Sequence, residues 1–177
     1  IAATSAVREA PNGKEFLAQI KNQIDLEIEV ISGAEEARLI YLGVISGMQF
    51  GDHPHILIDI GGGSTELILA DAHDARALTS TKVGAVRLKR DFVKEEPISQ
   101  KRCEFLRTFI EGYLEPAVIK ILGRIKKGEH PLIVATSGTA MAIGALIASD
   151  NRESDLKMQG YKISKSRLDL LVEKLVK

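Results

Sequence analysis

Residues 55–66 read His-Ile-Leu-Ile-Asp-Ile-Gly-Gly-Gly-Ser-Thr-Glu, and Leu67-Ile68-Leu69-Ala70 follow directly. Ile56 to Ile60 is the apolar run of a buried strand, the three glycines are a turn, and Thr65 to Ala70 is a second strand, so the stretch predicts a hairpin. Asp59 sits inside that run, where a desolvated carboxylate loses several kcal/mol of hydration and calls for a cation. Gly61, Gly62 and Gly63 allow close backbone approach and can turn successive N–H groups toward one point, an anion-binding nest suited to phosphate. The run is no Rossmann fingerprint, because the third glycine would fall at Glu66 and a strand follows where a helix is required. No Gly-Lys-Ser/Thr is present, which excludes a Walker loop. Two readings of the stretch remain: a structural hairpin with a capping Ser64, and a phosphate and metal site. Glu66, across the turn from Asp59, either brings a second carboxylate to the same edge or faces solvent.

Short strands alternate with helical patterns on both sides of the hairpin, an α/β arrangement. Ile1-Ala2-Ala3 reads as the end of a strand, and the chain is expected to be a piece of a longer one. A short helix is predicted over 5–10, a second around Phe16, Leu17, Ile20 and Ile24, and a strand over 26–30. Ser32-Gly33-Ala34-Glu35 is a capping box opening a helix that ends near Gly47. Gly47 to Pro54 is the expected hinge between two lobes. Beyond the hairpin the pattern predicts a strand over 78–88, a helix from Ser99 to about Lys127, a strand over 132–135, a helix reaching Ala148, a polar loop over 151–160 and a final helix from Ser164. Phe16, Phe105, Phe109 and Tyr113 read as core or packing residues.

Thr136-Ser137-Gly138-Thr139 lies between a strand and a helix start, where free N–H groups and the helix dipole favour an anion; ordinary capping by Ser137 or Thr139 explains it equally. Glu35 is accounted for by the capping box and by Arg38. Glu36 is not, and partial burial near a lobe junction would raise its pKa toward the range of a general base; the alternative is a first-turn acid serving the helix dipole. Arg8, Arg87, Lys89 and Arg90 are candidate phosphate partners or surface cations. His53, His55, His73 and His130 stand at no metal spacing.

The 177 residues carry 24 basic and 24 acidic side chains, unevenly placed. Residues 1–81 hold 5 Lys/Arg against 12 Asp/Glu, and residues 82–127 hold 12 against 6. An acidic portion beside a basic one suits a metal site next to an anionic ligand, or a lysine-decorated solvated helix. The single Cys103 and the absence of zinc spacing argue against disulfide and zinc chemistry. No apolar run approaches the roughly 18 residues of a membrane span, and no signal-peptide pattern opens the chain, so a cytoplasmic location is expected. The basic segment lacks interleaved aromatics, which speaks against nucleic acid.

Ala3-Thr4-Ser5-Ala6-Val7-Arg8-Glu9-Ala10, Ile31-Ser32-Gly33-Ala34-Glu35-Glu36-Ala37-Arg38-Leu39, Ile58 to Glu66, Gly84-Ala85-Val86-Arg87-Leu88 and Ser137-Gly138-Thr139 occur in an order that resembles the exopolyphosphatase/guanosine pentaphosphate phosphatase family. The resemblance implies an α/β, ribonuclease H-like (actin-like ATPase) fold: residues 1–50 as the C-terminal part of a truncated first lobe, residues 51–177 as a nearly complete second lobe. It implies Mg²⁺-dependent removal of a terminal phosphate from inorganic polyphosphate or of the 5′ phosphate of guanosine pentaphosphate. Glu36 would be the base, with Asp59 and Glu66 serving Mg²⁺ and water positioning. Gly61, Gly62, Gly63 and Ser64 would hold phosphate, joined by Ser137, Gly138, Thr139, Arg8 and Arg87. Neither a membrane nor nucleic acid is an expected partner, and a homodimer is compatible with the reading. The family's other phosphate loop, Asp-x-Gly-Ser-x-Ser, is absent from these residues, so this piece alone is expected to be inactive. The alternatives are a non-catalytic phosphate or alarmone-binding module, an actin-like ATPase or sugar kinase, and a purely structural domain.

Overall fold

The structure, a computed structural model, describes residues 1–94, 97–153 and 157–176. Its centre is a four-stranded sheet of β3 (His55–Ile60), β4 (Thr65–Ala70), β5 (Ala75–Thr81) and β6 (Leu132–Thr136), in the order β5-β4-β3-β6. The hairpin predicted from residues 55–70 is present with β3 and β4 antiparallel, and β6 joins β3 in parallel. A separate two-stranded sheet pairs β1 (Ala2–Ala3) in parallel with β2 (Glu29–Val30).

Strand periodicity sorts the side chains onto two faces. On one face Leu57, Ile68 and Ala70 form a core with Ala37 and Tyr41 of α3 (Gly33–Gly47) and with Phe50. On the other, Leu67, Leu69 and Ala77 pack against Ala117 and Ile121 of α5 (Gln100–Leu122). The remaining helices are α1 (Ser5–Glu9), α2 (Gly13–Ile24), α4 (Ala85–Phe92), α6 (Ser137–Asp150) and α7 (Lys165–Val176). Ser32 caps α3, its Oγ accepting from the Glu35 N–H at 3.1 Å.

Four expectations are corrected. The strand expected over 78–88 ends at Thr81, and Val86-Arg87-Leu88 are helical. The reason is tertiary: the first N–H groups of α4 find acceptors in the glycine turn, Ala85 donating to Gly61 O and Arg87 to Gly62 O, both at 3.0 Å. The helix expected to reach Lys127 stops at Leu122, with Gly123 following. The strand expected over 26–30 is reduced to Glu29–Val30 because its partner β1 is equally short. Phe16 is exposed rather than a core residue; Phe105, Phe109 and Tyr113 pack in a ring cluster with Phe92 of α4, with Phe105 and Tyr113 still exposed to solvent. The described part of the 151–160 loop is irregular, and residues 154–156 of that expectation lie outside the described residues.

Gly84, which begins α4, is pressed onto the turn: a Cβ there would stand 2.5 Å from the carbonyl of Gly62 and from the nitrogen of Gly63. Backbone cannot yield as a flexible side chain would. Gly84→Ala is therefore expected to cost about 2 kcal/mol in urea unfolding. Unchanged stability would mean that α4 does not press on the turn.

Candidate active site

The glycine turn is held from one side. The carbonyls of Gly61 and Gly62 accept from α4, and that of Gly63 accepts from the Arg87 Nε at 3.1 Å. In a trans peptide the carbonyl of one residue and the N–H of the next point in opposite directions. With three successive carbonyls drawn toward α4, the N–H groups of Gly62, Gly63 and Ser64 must face the other way. No backbone carbonyl takes up these three amides among the described residues. The arrangement is the concave set of donors that an oxyanion fits.

Beside it, register builds a polar row across all four strands. Asp59 is paired with Thr136 on one side and Glu66 on the other, and Glu66 in turn with Ser80. All four point to the face covered by α3. Thr136 Oγ1 donates to Asp59 Oδ2 at 2.9 Å, and Ser80 Oγ donates to Glu66 Oε1 at 2.7 Å. Glu66 is 1% exposed. Burial pushes its carboxyl above the ordinary value, the hydroxyls of Ser80 and Ser64 oppose this, and the charges of Glu36 and Asp59 push it further up. Three carboxyls thus share one neighbourhood.

Glu36 reaches this neighbourhood from the first turn of α3. Its Oε2 accepts from both terminal nitrogens of Arg8, at 3.2 and 3.3 Å, and Arg8 Nη1 also donates to Ile31 O at 2.7 Å. Arg8 is accordingly engaged with the candidate base, and Arg87 with the back of the turn. Gly33, the residue that lets α3 approach so closely, lies against Ser80: a Cβ on it would stand 2.5 Å from Ser80 Oγ. Ser137 and Thr139 turn their hydroxyls to the carbonyl of Ile60, at 2.9 and 2.8 Å. Those bonds hold Ser137 at φ 77°, a left-handed conformation that costs a non-glycine residue on the order of 1 kcal/mol. Gly138 borders open space. Ser80 was not singled out by sequence reasoning; only the register that sets it opposite Glu66 identifies it.

The donor set suits magnesium. No group of three or more His, Cys, Asp and Glu side chains positioned as a metal site occurs among the described residues, but Mg²⁺ is ordinarily held by one or two carboxylates, with waters and substrate phosphates completing the shell. Asp59 and Glu66 are adjacent hard oxygen donors, each oriented by a hydroxyl. Among the described residues no helix is long and apolar enough to cross a membrane.

The model of the Ppx/GppA phosphatase family matches residues 1–177. The chain is 33% identical over 144 residues to exopolyphosphatase 1 of Mycobacterium leprae, spanning 81% of this chain and 42% of that one. It is 35% identical over 153 residues to guanosine-5'-triphosphate,3'-diphosphate pyrophosphatase of Vibrio vulnificus, spanning 86% and 30%. An exopolyphosphatase structure from Cytophaga hutchinsonii superposes with a TM-score of 0.84 at 26% identity, over 99% of this chain and 55% of that one. The Aquifex aeolicus Ppx/GppA family member gives 0.71 at 26% identity, over 98% and 53%. The α/β fold expected from the motif series is therefore the observed one, and the chain spans well under two thirds of these relatives' lengths.

The direction of the Glu66 shift has a thermodynamic consequence. A carboxyl raised above its unfolded value of 4.5 favours folding fully below that pH, and the contribution is lost as pH rises through the folded value. Glu66→Gln cannot ionise, so in metal-free buffer it should melt higher than the unsubstituted protein near pH 8, with the gap closing by about pH 4. A gap of opposite sign would show that the carboxylate is stabilised in the fold.

Proposed function

The chain belongs to the Ppx/GppA phosphatase family, and from that premise we propose that it carries most of the catalytic apparatus of a phosphohydrolase. The reaction is release of the terminal phosphate of inorganic polyphosphate, or of the 5′ phosphate of guanosine pentaphosphate. The observation that carries the reading is the row Thr136–Asp59–Glu66–Ser80 lying beside the amide nest, with Glu36 brought over the same face by α3. The amides of Gly62, Gly63 and Ser64 receive oxygens of the phosphoryl group. Glu36, oriented by Arg8, takes a proton from the attacking water as the new O–P bond forms and the bridging O–P bond opposite breaks, the shortened phosphate leaving with the electron pair. Asp59 and Glu66 would hold Mg²⁺, which would supply neutralisation of charge on the phosphoryl oxygens. The backbone of Ser137-Gly138-Thr139 at the start of α6 adds donors from the far side, and Arg8 and Arg87 supply positive charge around the anion.

In the same reading residues 1–50 end a first lobe and residues 51–177 form the second. Full turnover needs an Asp-x-Gly-Ser-x-Ser loop that residues 1–177 do not contain. The test is phosphate release from polyphosphate and from guanosine pentaphosphate with Mg²⁺, by this chain and by the chain joined to a segment supplying that loop. Glu36→Gln in the active form is expected to lower the rate by about 10²–10⁴-fold. Retention of the full rate would remove Glu36 as the base, and tight substrate binding without turnover in both forms would identify a non-catalytic binding module.

A further inference from the structure

Ser5 opens α1 and is 5% exposed, and its Oγ is a buried side-chain polar atom with no hydrogen-bond partner among the described residues. Burying an unpaired hydroxyl costs free energy, and native proteins leave such atoms where a water or a ligand completes them. Its surroundings say which. Ser5 lies against Gly63: a Cβ on that glycine would collide with Ser5 Oγ and stand 3.1 Å from Ser5 Cβ. The hydroxyl therefore sits against the turn, whose carbonyls accept from α4 and Arg87 and make no bond with it. Its own helix holds it in place, through the Arg8 N–H donating to Thr4 O at 3.0 Å and the pairing of β1 with β2 immediately before. A fixed, desolvated hydroxyl against the glycine turn is left without a partner.

We propose that Ser5 is a phosphate ligand, its hydroxyl donating to an oxygen of the phosphoryl group held by the amides of Gly62, Gly63 and Ser64. This rests on the reading of the turn as the phosphate site and extends the site to α1, which approaches the turn from outside the central sheet. It also explains why residue 63 admits no side chain. Any Cβ there would occupy the hydroxyl's place.

The test compares the unsubstituted chain with Ser5→Ala by two measurements: calorimetric titration with inorganic phosphate in the presence of Mg²⁺, and the thermal midpoint in phosphate-free buffer. The expected result has opposite signs. Phosphate affinity falls by about tenfold, the scale of one charge-assisted hydrogen bond, while the midpoint without phosphate stays level or rises, because an unpaired buried hydroxyl has been removed. Equal phosphate affinity in the two proteins would overturn the proposal and assign the hydroxyl to a lone water, leaving the turn assignment intact. A parallel fall in midpoint and affinity would overturn it in favour of a packing role. If the unsubstituted chain itself takes up no phosphate, the assignment of the turn fails, and the proposal with it.

Discussion

Three successive peptide planes in one tight turn have their carbonyls pulled to the same side, and the rest of the site is arranged around that constraint. A side chain at Gly63 would collide with Ser5 and one at Gly84 with the backbone of Gly62 and Gly63, while Gly62 lies against Val86. The helix after β5 forms because the turn offers its first N–H groups their acceptors, and the turn keeps its shape because the helix holds those carbonyls. Each element satisfies polar groups that the other would leave unpaired. The cavity side of the turn is thereby defined by what happens on its reverse.

The acids follow a different logic. Strand register alone sets Asp59 beside Glu66, since residues paired across antiparallel strands point to one face. Two carboxyls so placed repel, and burial makes the ionisation of Glu66 costlier. The fold answers with hydroxyls at both ends of the row and with Arg8 over Glu36.

Much of this was readable in the chain. The hairpin of 55–70, the helix capped by Ser32 and the short strand leading to Ser137 rest on local signals, namely an uninterrupted apolar run, a capping box and a glycine cluster. The role of 84–88 was not readable, because although Ala85, Arg87 and Leu88 are good helix formers, the acceptors that fix the start of the helix lie more than twenty positions earlier. Ser80 and Ser5 were likewise silent. One matters through cross-strand register and the other through packing on a glycine, and neither relation leaves a pattern within a window of sequence. The aromatic residues of α5 pack on one another and on Phe92 rather than on the sheet. Their spacing marks one side of a helix, but the sheet is met by Ala117 and Ile121, near its other end.

The shared packing of α3 with the sheet has a mechanical meaning. Ala37 and Tyr41 are interlocked with Leu57 and Ile68, and sliding that helix off would expose side chains worth roughly 1.5–3 kcal/mol apiece for the larger ones. Glu36 is consequently carried on an element that shares one core with the strands bearing Asp59 and Glu66, so the spacing among the three acids is set by that packing.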